Sequence, residues 1–146
     1  MDRTQIMTIL PHRNSMLLLD EVEKEGDESH GMYRIKGDEF FLDGHFPGNP
    51  IVPGVILCEI LAQSACCLID REKSEGKISV YAGLDKVRFK SPVFPGDEFR
   101  TKCRIKRTMG DFYFCEGEGY VDGRLCISAL FSFALADKEA VCSRKS

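Results

Sequence analysis

The alternation of apolar and polar positions divides the chain into one helical stretch with strand-like segments on both sides. From Pro53 to about Arg71, the residues Val55, Ile56, Leu57, Cys58, Ile60, Leu61, Ala62, Ala65, Cys66, Cys67, Leu68 and Ile69 are apolar on nearly every side of a 3.6-residue period. That predicts one long buried helix with Pro53 at its first position, where a missing N–H costs nothing. Turn residues and alternation predict strands over about Leu17–Lys24 and Ser29–Lys36, and again near Ile78–Lys90, Glu98–Lys106, Phe112–Val121 and Leu125–Leu135. Turns at Pro92 to Gly96, Met109-Gly110-Asp111 and Asp122-Gly123 make each of the last four strands an expected antiparallel neighbour of the next, with Asp-Gly the strongest hairpin signal. A short helix is expected over about Asp2 to Leu10, ended by Pro11.

With no repeat, linker or low-complexity tract, the 146 residues read as a single domain. The expected class is α+β: a curved antiparallel sheet wrapped around one long buried helix, the outline of the hot-dog fold.

Composition narrows the setting. An apolar share of 43% with 29% charged residues describes a soluble globular protein. The longest apolar run, Val55 to Ile69, is short for a bilayer and carries Glu59, Gln63 and Ser64, and Met1 to Met7 has no signal-peptide pattern, so the expected location is the cytoplasm. The seven cysteines are odd in number and contain no C-x-x-C pair, which favours reduced thiols packed as small core side chains. The net charge of −3 hides a basic segment, Lys86 to Arg107, with eight cations against Asp97 and Glu98.

Candidate chemistry gathers around Gly44-His45-Phe46-Pro47-Gly48-Asn49-Pro50-Ile51-Val52-Pro53-Gly54-Val55. Three prolines within seven residues make this a rigid connection leading straight into the helix. Glu59 follows in a helix that is otherwise apolar, and buried carboxylates are rare unless paired or used. Desolvation would favour its protonated form, and Gln63, one turn on, is placed to orient it. His45 supplies a base that titrates near neutrality; with Glu59 as acid it forms the pair that β-elimination of water requires. Of the other histidines, His30 reads as an exposed strand residue and His12 as a structural contact beside Arg13. Because Pro53 has no N–H, the first free donors at the helix start are Gly54 and Val55, set to polarise a substrate carbonyl. Two candidate ligands do not make a metal site, and no phosphate loop of the usual kinds is present, so neither metal nor cofactor is expected.

These motifs, in this order, resemble the β-hydroxyacyl-acyl-carrier-protein dehydratases of bacterial fatty-acid synthesis, the FabZ type. The resemblance extends to Leu10-Pro11-His12-Arg13, Leu17-Leu18-Leu19-Asp20-Glu21-Val22, Ala62-Gln63, Gly83 to Phe89, Pro92 to Asp97 and Val121-Asp122-Gly123. Asn14-Ser15 departs from it, where an aromatic residue and a proline are usual, and so does Ser128, where glutamate is common. The resemblance implies dimers assembled into a hexamer, with His45 of one subunit and Glu59 of the other sharing each site. Glutamate at 59, rather than aspartate, favours dehydration alone. It also implies an acyl tunnel gated by Tyr81 and lined by Phe46 and Phe89, and an acidic carrier protein as partner.

That partner gives Lys86, Arg88 and Lys90 a docking role, with the Arg100-Lys102-Arg104-Lys106 stripe the next candidate or an ordinary solvated face. Nucleic acid is not an expected partner, given the overall acidity and the absence of a binding motif. Two rival readings remain: a hot-dog thioesterase using Glu59 and water, which leaves the His45 loop idle, and a non-catalytic acyl-carrier-binding protein, which needs neither residue.

Overall fold

A computed structural model describes residues 1–46 and 48–142, leaving the expected proline at position 47 outside the described residues. Six strands form one antiparallel sheet: β1 (Glu21–Glu25), β2 (Glu28–Arg34), β3 (Lys77–Phe89), β4 (Glu98–Met109), β5 (Phe112–Val121) and β6 (Arg124–Asp137). The helices are α1 (Arg3–Ile6), α2 (Gly54–Ser64), α3 (Arg71–Ser74) and α4 (Lys138–Cys142). Among the described residues no helix is long and apolar enough to cross a membrane.

Along β5, and along β4 as far as Cys103, every second side chain is buried, the two-residue period expected of a sheet with one covered face. The covered face packs Phe99, Cys103, Cys115, Ile127 and Phe131 against Leu57, Ile60, Leu61 and Ala65 of the helical segment. Gly119 makes room for the fully buried Phe99 ring: a Cβ there would lie 2.1 Å from Cζ. A chain of hydroxyl bonds ties helix to sheet. The Gly31 amide donates to Thr101 Oγ1, which donates to Ser64 Oγ (2.7 Å), which donates to the Ile60 carbonyl (2.8 Å).

The strand order β1-β2-β4-β5-β6-β3 corrects one expectation. β3 does not pair with β4; it pairs with β6 at the far edge, Phe89 opposite Ile127 and Tyr81 opposite Phe133. The connection 90–97 is long enough to pass over the end of the sheet: eight residues reach roughly 26 Å, whereas three strand spacings need about 14 Å. Along the way Lys90 N–H donates to the Cys126 carbonyl, Val93 is fully buried, and Gly96 N–H donates to the Ile35 carbonyl. The other two turns are tight hairpins as expected, Asp122 and Gly123 both having positive φ.

The long helix is also shorter than its pattern. It starts at Gly54 with Pro53 as N-cap, stops at Ser64, tightens into a 3₁₀ turn over Ala65–Leu68, and is followed by the separate α3, which Asp70 caps by accepting from Glu72 N–H. Likewise α1 is a single turn, opened by a capping box between Asp2 and Gln5.

Candidate active site

Two clusters lie at different points along α2. Around its middle, Glu59 opens into a cavity of about 250 Å³ lined by Leu10, His12, Ala62, Gln63, Cys66, Ile69, Ser79, Val80, Tyr81 and Phe133. The Glu59 side chain is 22% exposed, so it sits at a cavity wall instead of inside solid core as the sequence pattern suggested. The helix is not covered all round: Val55, four residues before Glu59 on the same stripe, is 71% exposed.

Gln63 is 1% exposed and fully committed. Its Oε1 accepts from Leu18 N–H (2.9 Å), which leaves its amide nitrogen to donate to the Met16 carbonyl (2.8 Å) and to Glu59 Oε2 (2.9 Å). Because only Oε1 can serve the Leu18 amide, the nitrogen must face Glu59. The orienting contact expected from the spacing is thus present, braced by the segment before β1.

His12 lines the same cavity, its Nε2 3.5 Å from Glu59 Oε2. The expectation of a structural contact belongs instead to its neighbour. Arg13 donates to the carbonyls of Leu10, His12 and Met7, folding the segment so that the imidazole turns inward. His30 is half-buried on β2, its Nε2 3.5 Å from both Glu25 and Glu28.

The second cluster surrounds the start of α2. His45 Nδ1 lies 2.9 Å from the Ile51 carbonyl. A carbonyl only accepts, so Nδ1 carries the proton and Nε2 presents a lone pair, the tautomer of a base. Phe46 stacks on the imidazole at 4.4 Å between centroids. The loop is fixed beyond its prolines, since Ile51 N–H donates to the His45 carbonyl and Val52 N–H to Val93 on the crossing connection. Among the described residues the amides of Gly54 and Val55 have no acceptor, leaving two donors open at the helix start. Packing by itself calls for glycine at 54. The space a Cβ would fill is taken by the Phe89 ring, 2.6 Å away.

Within one chain, then, the expected tunnel residues do not come together. Tyr81 lines the Glu59 cavity, with its hydroxyl donating to the Cys58 carbonyl (2.7 Å) and its pKa raised by burial. Phe46 and Phe89 stand at the helix start, 56% and 57% exposed, outside that cavity.

The basic segment separates into two kinds of cation. Arg100 pairs with Glu98, Lys102 with Glu28, and Arg104 and Lys106 both with Glu116, so the β4 stripe is balanced by acids on its own outer face. Among the described residues Lys86, Arg88 and Lys90 are in no ion pair. Lys86 and Arg88 line a groove of about 550 Å³ on the face of the sheet away from α2; Lys90 lies beyond it. Among the described residues Cys58, Cys66, Cys103, Cys115 and Cys126 are buried in the core, and burial pushes the Cys66 and Cys115 thiols up to about 12, far from a nucleophile's range. Among the described residues no group of three or more His, Cys, Asp or Glu is arranged to hold a metal ion.

Antiparallel strands wrapped on one central helix, with a histidine loop feeding that helix, define a hot-dog protein. Residues 10–130 match the model of the FabA-like domain, and the chain belongs to that family. It is similar to proteins named 3-hydroxyacyl-[acyl-carrier-protein] dehydratase FabZ. One from Streptococcus equi subsp. zooepidemicus is 41% identical, covering 92% of this chain and 97% of that one. One from Nitratidesulfovibrio vulgaris is 37% identical, covering 95% and 94%. Among solved structures, a chain of the dehydratase heterocomplex ApeI:P from Xenorhabdus doucetiae superposes with a TM-score of 0.77 at 18% identity, over 95% of this chain and 97% of that one.

Proposed function

We propose that this protein is a dehydratase that converts (3R)-3-hydroxyacyl thioesters on acyl carrier protein into trans-2-enoyl thioesters during fatty-acid elongation. His45 Nε2 takes the proton from the carbon next to the thioester carbonyl. The electron pair moves through an enolate held by the Gly54 and Val55 amides. The bond from the β-carbon to oxygen then breaks as Glu59 protonates the departing hydroxyl, giving water. The observation that carries this reading is the Nδ1 contact to Ile51, which leaves His45 with a free basic nitrogen on a fixed loop.

The site is shared between two copies of the chain, His45 from one and Glu59 from the other. Three features support this reading: His45 does not line the Glu59 cavity, Val55 at the start of α2 is left exposed, and β3 is a 13-residue edge strand with a free side. In the dimer, Phe46 and Phe89 join the wall of the acyl tunnel that Tyr81 begins, and three dimers form a hexamer. The setting is the cytoplasm. Incubation with 3-hydroxyacyl carrier protein and measurement of product mass tests the activity: loss of water is expected, free acid would mean thioester hydrolysis, and no change a binding role.

Carrier docking falls to Lys86, Arg88 and Lys90, which among the described residues are in no ion pair. Reversing all three to glutamate raises KM for carrier-linked substrate about tenfold and leaves a carrier-free thioester mimic almost unaffected, because steering acts on encounter. Added salt weakens carrier docking in the same direction. Equal losses on both substrates in a folded protein would place these side chains in structure or catalysis.

A further inference from the structure

The two inward-turned histidines are wired in opposite ways. His45 binds a carbonyl through Nδ1 and leaves Nε2 open. His12 has a buried Nδ1 with no hydrogen-bond partner, and its Nε2 faces Glu59 Oε2 at 3.5 Å. A proton on Nδ1 would leave a buried N–H unpaired and would set the Nε2 lone pair against an oxygen that only accepts. The neutral tautomer that avoids this penalty carries its proton on Nε2, directed at the carboxylate.

Glu59 Oε2 therefore faces two donors, the Gln63 amide from its own helix and the His12 imidazole from the segment clamped by Arg13. Of the other polar groups of the cavity, Ser79 makes no hydrogen bond to Glu59 among the described residues. The Tyr81 hydroxyl on β3 is spent on the Cys58 carbonyl, and Cys66 holds a protonated thiol. Among the described residues Glu59 Oε1 has no hydrogen-bond partner. We infer that His12 is a positioning residue for Glu59: its Nε2–H and the Gln63 amide together occupy Oε2, so that Oε1 is the oxygen that holds and delivers the proton to the leaving hydroxyl. The 3.5 Å separation is long for a hydrogen bond, and this role requires it to shorten when substrate binds, as catalytic contacts often do.

The kinetic consequence rests on the dehydratase reading; the tautomer assignment does not. Imidazole nitrogen spectra of the full-length protein at about pH 8, where free histidine is neutral, are expected to show the Nε2–H form at His12 and the Nδ1–H form at His45. An Nδ1–H form at His12 would overturn the inference. In turnover assays His12→Ala lowers kcat about tenfold with KM almost unchanged, since small misplacement of a reacting group is costly. His12→Gln, which keeps a donor at the end of the side chain, recovers most of that loss. Wild-type kcat in His12→Ala, or an equal loss in folded His12→Gln, would reject the role. Absence of dehydration in the wild type would instead reject the functional reading, with the spectra still deciding His12.

Discussion

His45→Ala and Glu59→Gln each lower turnover by about 10² to 10⁴-fold while the melting temperature stays near wild type, the range for loss of a positioned general acid or base. Neither side chain holds the fold. His45 is half-exposed on its loop, and Glu59 sits at a cavity wall, where glutamine preserves the volume. The shared-site reading adds a sharper outcome. Mixing the two inactive variants under conditions of subunit exchange restores activity, because some mixed dimers contain one intact histidine facing one intact glutamate. Persistent inactivity in mixed dimers shown to have formed would require both groups to act within one chain. Near wild-type dehydration by either folded variant would remove that residue from the mechanism.

The largest loss of stability is expected from Phe99→Ala. The ring is fully buried beneath the helix and fills the space that Gly119 leaves open, so truncation empties a volume that the hydrogen-bonded strands on either side cannot close. Aromatic-to-alanine changes in such positions cost about 3–5 kcal/mol, a large part of the 5–15 kcal/mol typical of a domain. Thermal unfolding would read this as a drop on the order of 10 °C. Phe99→Leu should lose distinctly less. Equal losses for alanine and leucine would mean that ring shape, not filled volume, is what the position requires.

The sequence made most strands legible because their signals are local: alternation along β4 and β5, and Asp122-Gly123 at a tight reversal. Sheet order was less legible. A turn signal states where the chain leaves one strand, but not whether eight residues fold back or cross three strands, and only the burial of Val93 and its bonds to neighbouring segments decide that. The helix end was hidden for a similar reason. Ala65 to Ile69 continues the apolar pattern, yet the backbone tightens after Ser64, whose hydroxyl is tied into the Thr101 chain. Asp70 was the missed clue, a capping residue inside what read as helix.

Of the candidate site, residue types that are out of place in their segment could be found, and Glu59, Gln63 and His45 are of that kind. His12 could not, since its meaning depends on a contact 47 residues away that no spacing encodes. Nor could the sequence separate paired from free cations, which required the cross-strand register that sets Arg104 opposite Glu116.

The placement of β3 beside β6 has a consequence for how the protein comes into being. As the chain leaves the ribosome, the helix bearing Glu59 and then β3, with Tyr81 and Phe89, emerge before the strand that will hold β3 in the sheet. Until β6 is made, β3 has both edges free and α2 lacks the β6 side of its cover. Non-local pairing of this sort is slow because a long loop must close first. The helix that carries Glu59 thus waits for β6 before it is covered, and a nascent chain stalled before β6 would expose its most apolar helix to whatever is nearby.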